Sequence, residues 1–194
     1  MDLGLSPSTY YTYPMNTYII LFRGINVGGK NIIKMKELVS LLEGLGLTRV
    51  HTYIQSGNVI FESESDSEHL LEMINLAILH RFGFSPVLLL LTLDEFETAM
   101  HNNPYPQASS DPKTLHMGFL TCVPEAPRLN EMEQLKTPTE SFMLKDRVFY
   151  LYAPEGIGRS KLAANSERLL GVSMTDRNWN TICKIYALAK GEEK

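Results

Sequence analysis

The chain has 194 residues, of which 44% are hydrophobic and 21% are charged, the composition of an ordinary globular protein. The net charge of −4 argues against a generally basic nucleic-acid-binding surface, although a local basic patch is compatible with it. Cys122 and Cys183 are far apart, which disfavours a disulfide framework and a cysteine zinc site. The five histidines show no metal-ligand spacing, so we predict no metal site.

The sequence contains no segment that would direct the chain to a membrane. The longest apolar run, Val87 to Leu91, is much shorter than a bilayer-spanning helix. Residues 1–14 contain no Lys or Arg and no apolar core, so they do not resemble a signal peptide. We therefore predict a cytoplasmic protein with no membrane partner, whose residues 1–15 form a loose N-terminal extension.

The first half of the chain alternates between strand and helix patterns. The apolar run from Thr17 to Arg23 predicts a central strand, and the leucine spacing over 34–45 predicts a helix. Two further strands, Thr48–Ile54 and Asn58–Ser63, are separated by a tight turn. A second helix and a strand from Pro86 to Thr92 complete the order βαββαβ.

The second half repeats this order after an irregular stretch. Asn103-Pro-Tyr-Pro106, followed by polar residues as far as Lys113, is the best candidate for a domain boundary. Beyond it, patterns of strand, helix, hairpin and helix follow again. The chain then ends with a brief strand over Val172–Thr175 and a last helix over Asn178–Lys190.

These patterns predict an α+β fold of two ferredoxin-like βαββαβ subdomains, residues 16–103 and 104–194, each with an antiparallel sheet packed by helices. In such a subdomain, the loop after the first strand and the hairpin between the second and third strands lie at the same end of the sheet. We therefore expect residues 23–31 to lie beside the turn at 55–58. In the second half, the loop at 154–159 should share an end with the last strand.

Arg23-Gly-Ile-Asn-Val-Gly-Gly-Lys-Asn31 is the strongest candidate for a site. A glycine-rich loop between a strand and a helix can aim backbone N–H groups at one point, with Lys30 beside them. Gly24, Gly29 and Lys30 match the phosphate-binding pattern G-x-x-x-x-G-K-[ST], but Asn31 replaces the hydroxyl residue that holds Mg²⁺. A nucleotide hydrolase is therefore disfavoured, which leaves a looser anion cradle or a simple tight turn.

We predict that a small molecule or nucleotide with a phosphate or another anionic group binds in a cleft between the two halves. No residue stands out as a nucleophile or general base, so the sequence does not decide whether the protein is an enzyme, and it implies no particular cofactor. The candidate ligand-binding residues are Arg23, Asn26, Gly28, Gly29, Lys30, Gln55, Ser56, Asn58, Arg159, Arg177 and Asn178.

Structural interpretations of the same motifs remain open. Gln55-Ser-Gly-Asn58 is ordinary hairpin chemistry, and Arg177-Asn-Trp179 can begin the last helix with a capping side chain and a Trp packed between the halves. Two other functions therefore stay possible. One is a protein-interaction or regulatory module without a ligand. The other is a nucleic-acid-binding module with stacking aromatic side chains.

Four segments together resemble the bacterial family known as domain of unknown function 1697. They are Arg23–Asn31, Thr52–Val59, Asn103-Pro104 and Arg177–Thr181, and the likeness covers residue 16 to about 190. The resemblance implies a cytosolic protein of two ferredoxin-like subdomains, and it implies no activity. One departure is Leu91, where the resemblance implies a basic residue, so an anion site that uses this position would be weakened here.

Overall fold

The structure, a computed structural model, describes residues 14–192, so most of the predicted extension over 1–15 lies outside the described residues. The first half forms a four-stranded antiparallel sheet in the order β2-β3-β1-β4. Its elements are β1 (Asn16–Arg23), α1 (Met35–Gly44), β2 (Thr48–Tyr53), β3 (Asn58–Ser63), α2 (Ser67–Phe82), β4 (Val87–Thr92) and α3 (Leu93–His101).

The second half repeats the arrangement, with strand order β6-β7-β5-β8. Two antiparallel sheets with this order confirm the predicted pair of ferredoxin-like subdomains. Within residues 14–192, no helix is long and apolar enough to cross a membrane. The elements are β5 (Leu115–Leu120), α4 (Leu129–Leu135), β6 (Ser141–Lys145), β7 (Val148–Tyr152), α5 (Lys161–Leu170), β8 (Met174–Asn178) and α6 (Trp179–Lys190), with short 3-10 turns at Pro106–Ser110 and Ile157–Arg159.

Strand β1 is apolar throughout because it contributes to two different cores. Tyr18, Ile20 and Phe22 face α1 and α2, where they pack with the apolar sides of both helices. Ile19 and Leu21 point to the opposite face of the sheet and are fully buried there. Successive side chains of a strand alternate between its two faces, so a strand buried on both faces must be apolar at every position.

The second of these cores joins the two halves of the molecule. It contains side chains from both sheets together with side chains from α6, which contacts both sheets, and from α3, which packs on the first sheet and also contacts β5 and β7. Phe96 of α3 stacks on Phe119 of β5 with 5.7 Å between the ring centroids, and both rings are buried. Burial of a Phe side chain stabilises a fold by roughly 1.5–3 kcal/mol, so this shared core holds the halves together.

The last strand lies later in the chain than its apolar residues predict. β8 is Met174–Asn178, not Val172–Thr175, and α6 begins at Trp179. Arg177 pairs in register with Met117 of β5, and it therefore belongs to a strand and does not begin the final helix. The polar residues of β8 are compatible with a strand because β8 is at the edge of its sheet.

Candidate functional site

The glycine-rich loop folds into a tight two-residue turn. Val27 and Lys30 form an isolated bridge, and the residues between them, Gly28 and Gly29, have φ angles of +59° and +75°. Positive φ at both central residues is the signature of a type I′ turn, which glycine adopts without strain. The Lys30 N–H donates to the Val27 carbonyl at 3.1 Å, so this amide closes the turn itself.

Asn26 connects the glycine loop to the β2–β3 turn. Its Nδ2 donates to the carbonyls of Gln55 at 2.9 Å and Ile33 at 3.0 Å, and its Oδ1 accepts from the Ile33 N–H at 2.8 Å. Both amide protons and the side-chain oxygen of Asn26 thus have partners within the protein. The expected proximity of the loop and the turn is confirmed by these contacts.

Arg177 joins the second half of the molecule to the same turn. Its Nε donates to Asn58 Oδ1 at 2.5 Å, and its Nη2 donates to the carbonyls of Phe22 at 2.9 Å and Ser56 at 3.0 Å. Its Nη1 donates to the Asp176 carbonyl at 2.7 Å. Burial lowers the pKa of the guanidinium to about 10, an effect that the Asp176 charge opposes, so Arg177 is charged at neutral pH.

Three predicted site residues, Arg23, Lys30 and Gln55, lie near this network but differ in their contacts and exposure. Arg23 forms an ion pair with Glu167 of α5, with 2.7 Å between Nη2 and Oε2, which is another contact between the halves. Lys30 and Gln55 have exposed side chains. The structure therefore gathers these residues with Asn26, Ser56, Asn58 and Arg177 at one end of the first sheet. Their role in binding a ligand stays a prediction.

The remaining candidates, Arg159 and Asn178, have other surroundings. Arg159 is exposed and lines a depression with Glu140 and Glu155, which the residues at the glycine loop do not line. Asn178 is the N-cap of α6, and its Oδ1 accepts from the Thr181 N–H at 2.9 Å. Within residues 14–192, no group of three His, Cys, Asp or Glu side chains is placed to hold a metal ion.

Ile54 adopts an unusual backbone conformation at the edge of this region. Its φ is +51°, in the left-handed region that β-branched residues rarely occupy, and 51% of the residue is exposed to solvent. For most residues this conformation costs roughly 1–2 kcal/mol, because Cβ approaches the carbonyl oxygen. The fold therefore holds an exposed isoleucine where asparagine or glycine would be less strained.

The strain at Ile54 predicts that a glycine variant is more stable than an alanine variant at this position. We expect the Ile54→Gly variant to be about 1 kcal/mol more stable than Ile54→Ala, since both remove the side chain and only glycine tolerates positive φ. The same pair at exposed Val27, which has ordinary φ, should show the opposite order. Urea denaturation of the four variants measures both differences. The same ranking of glycine and alanine at both positions would contradict the prediction.

A cleft of about 300 Å³ opens between the two halves, away from the glycine loop. Its walls come from β4, α3, the end of β5 and the β6–β7 hairpin, so both subdomains contribute to it. The floor is apolar and the rim carries charges of both signs. The floor includes Leu89, Leu91, Ala99, Phe119 and Val148, and the charged side chains at the rim are Asp94, Glu95, Lys145, Asp146 and Arg147.

One of the two cations of the cleft bonds a neutral group, and the other forms only a long ion pair. Lys145 Nζ donates to the neutral amide oxygen of Asn102 at 2.7 Å. Arg147 Nη2 is 4.0 Å from Glu95 Oε1, and both side chains are partly exposed. Tyr150, also in the cleft, donates its hydroxyl to the Ala99 carbonyl at 2.7 Å. Burial raises the pKa of Tyr150 to about 12, with a smaller contribution from the Asp146 charge, so this hydroxyl is neutral and serves as a donor.

Comparison with known proteins assigns the chain to a family. The family described as "Protein of unknown function (DUF1697)" matches residues 15–150, which is well over half of the chain. The chain belongs to this family. The match covers the glycine loop, the β2–β3 turn and the lining of the cleft, whereas Arg177 lies beyond it.

A solved structure is similar to this DUF1697 protein over most of its length. It is described as the structure of conserved bacterial protein SP0830 from Streptococcus pneumoniae, with 29% identical residues and a TM-score of 0.71. The similarity covers 91% of this chain and 99% of that chain. Comparison with the curated proteins gives no match. These comparisons support the family and the fold, and the descriptions name no ligand.

The cleft of this DUF1697 protein is not built from residues that the sequence indicates as a site. The sequence pattern predicts only a hairpin turn at Lys145-Asp-Arg147, and it predicts ordinary core positions for the residues of the floor. The one signal in the sequence is a turn with two cations beside a strand. Leu91, the position where the resemblance implies a basic residue, lies on the floor of this cleft and is almost fully buried.

Proposed function

We propose that this protein binds a small molecule with an anionic group, such as phosphate or carboxylate, in the cleft between its two halves. The observation that supports the proposal is Lys145, an ammonium group at the cleft whose hydrogen-bond acceptor is the neutral amide of Asn102. A ligand anion would replace this neutral acceptor with a charged one, and charge-assisted hydrogen bonds are roughly twice as strong as neutral ones.

The rest of the cleft supports the same class of ligand. Its apolar floor suits a ring or aliphatic body, and a volume of about 300 Å³ is at the lower end of ligand pockets. Arg147 can turn toward a ligand at small cost, because a partly exposed ion pair like that with Glu95 contributes only about 0–1 kcal/mol. The carboxylates of Asp94 and Asp146 favour a ligand that also carries hydrogen-bond donors.

The residues at the glycine loop are an alternative location for the same anion. Lys30 is exposed and lies beside the turn at Gly28 and Gly29. Variants at Lys145 and Lys30 separate the two locations, because each removes one cation at the surface and leaves the core unchanged. Thr98 and Gln134 provide a second pair, since both are exposed helical residues and only Thr98 lines the cleft.

A thermal-shift panel of nucleotides, sugar phosphates and CoA-type ligands tests the proposal. A ligand at about one hundred times its Kd should stabilise the wild type by roughly 2.7 kcal/mol, which raises Tm by several degrees. We expect Lys145→Ala to weaken this shift and Thr98→Trp to abolish it by filling the cleft. Lys30→Ala and Gln134→Trp should keep it.

Two results would contradict the cleft as the ligand site. A shift lost in Lys30→Ala and retained in Thr98→Trp would move the site to the glycine loop. If no compound shifted the Tm of the wild type, the proposal that the protein binds such a ligand would be contradicted. That result would favour the protein-interaction module that the sequence leaves open.

A further inference from the structure

Three large aliphatic side chains are exposed around the glycine loop. Val27, Ile32 and Ile54 are 67%, 57% and 51% exposed, and we refer to them together as the rim patch. They lie close together, because Asn26 hydrogen-bonds the backbone of both Ile33 and Gln55. Each member of the patch is next in the chain to one of these three residues, and the Cα atoms of neighbouring residues are only about 3.8 Å apart.

The backbone under the rim patch is held in one conformation. The turn at Gly28 and Gly29 closes with a hydrogen bond, and Asn26 fixes both the loop and the β2–β3 turn. Ile54 keeps its strained φ of +51° although half of the residue is exposed, so packing of its side chain compensates little of the strain. Residues held in sparsely populated backbone conformations cluster at functional sites, and rigid apolar groups lose little entropy on binding.

Basic residues surround the rim patch, although the net charge of the protein is −4. Residues 23–36 contain four basic residues, Arg23, Lys30, Lys34 and Lys36, and no acidic one. Arg23 pairs with Glu167 and Lys34 pairs with Glu37 at 3.3 Å. Glu37 is shared with Arg81, so the local balance stays positive. Complementary charge across an interface directs association and selects partners.

We propose that the rim patch docks an acidic segment of a partner protein, whose apolar side chains cover Val27, Ile32 and Ile54. Its aliphatic side chains do not offer the flat aromatic faces on which nucleic-acid bases stack. Two of the four basic residues around it, Arg23 and Lys34, are already paired with carboxylates, which leaves fewer than the four to eight typical of segments that hold anionic lipid surfaces. The residues of the patch do not line the cleft, so this surface is separate from the proposed ligand site.

Selection of a phage-displayed random peptide library on the folded protein tests the proposal. We expect wild type to enrich acidic peptides that also carry aliphatic or aromatic residues. A synthetic peptide of the enriched sequence should bind Ile54→Asn, Val27→Ser and Lys30→Glu at least about tenfold more weakly. Asparagine tolerates positive φ, so Ile54→Asn keeps the turn, and an unchanged or raised Tm shows that the variant is folded.

Val123→Ser is the matched control, because Val123 is 59% exposed in the other half of the molecule. This variant should bind the peptide as the wild type does. Failure to enrich acidic peptides, or equal binding by all the variants, would overturn the proposal. Binding to phosphatidylserine vesicles or to single-stranded RNA that the same variants weaken would overturn it in favour of a lipid or nucleic-acid partner.

Discussion

The Arg177→Ala variant is expected to lose about 3 kcal/mol of unfolding free energy. The guanidinium donates to Asn58 Oδ1 and to the carbonyls of Phe22 and Ser56, and Asn58 is completely buried. Alanine leaves these acceptors without their donor, and each unsatisfied buried polar group costs about 1–3 kcal/mol. Urea denaturation followed by circular dichroism measures the loss.

Two further arginine variants show whether this loss comes from the hydrogen-bond geometry. Arg177→Lys should lose most of the same free energy, because an ammonium group cannot reproduce the planar fork of donors. Arg159→Ala should change stability by less than about 0.5 kcal/mol, because Arg159 is exposed. A loss below about 1 kcal/mol in Arg177→Ala would contradict the role of Arg177 in joining the halves.

The Gly57→Ala variant is expected to lose about 3–4 kcal/mol. Gly57 is buried with a φ of +73°, which costs roughly 1–2 kcal/mol for a residue with Cβ. The added Cβ would also lie 2.5 Å from Ile25 Cδ1 and 2.6 Å from Phe22 Cβ. Phe22 is in β1, an inner strand of the first sheet, and cannot move freely, so overpacking adds about 1–3 kcal/mol.

Gly28→Ala is the matched control for Gly57→Ala. Gly28 also has positive φ, +59°, but an added Cβ would meet no atom within 4 Å. We expect this variant to lose only about 1 kcal/mol, the cost of the backbone conformation. The difference between the two variants then measures the steric clash. Equal losses would show that the close approach of Gly57 to β1 has no energetic consequence.

The segments that carry the family resemblance have structural roles in this protein. Asn26 fixes the glycine loop against the β2–β3 turn, and Arg177 bonds this turn from the other half. Gly57 allows the turn to approach β1, where its carbonyl accepts from the Phe22 N–H at 2.8 Å. These contacts account for the residue types in the motifs whether or not an anion also binds there.

The fold was predictable from the sequence because its signals are local. Apolar periodicity indicated most elements, and the βαββαβ order with right-handed crossovers permits few topologies. The same rules predicted that the glycine loop would lie beside the turn at 55–58. The polar strand β8 was misplaced because Asp176 and Arg177 give no strand pattern, and their place is decided by pairing with β5.

The sequence by itself thus determined the two sheets, their strand order and the end at which the glycine loop lies, because these follow from periodicity and chain connectivity. Only the tertiary structure decided the partners of Arg177, since Asn58 is 119 positions away along the chain. It also decided the cleft, where Lys145 and Asn102 meet from different halves. Such contacts depend on how two sheets pack through α3 and α6, and side-chain packing between distant segments leaves no periodic signal in a sequence.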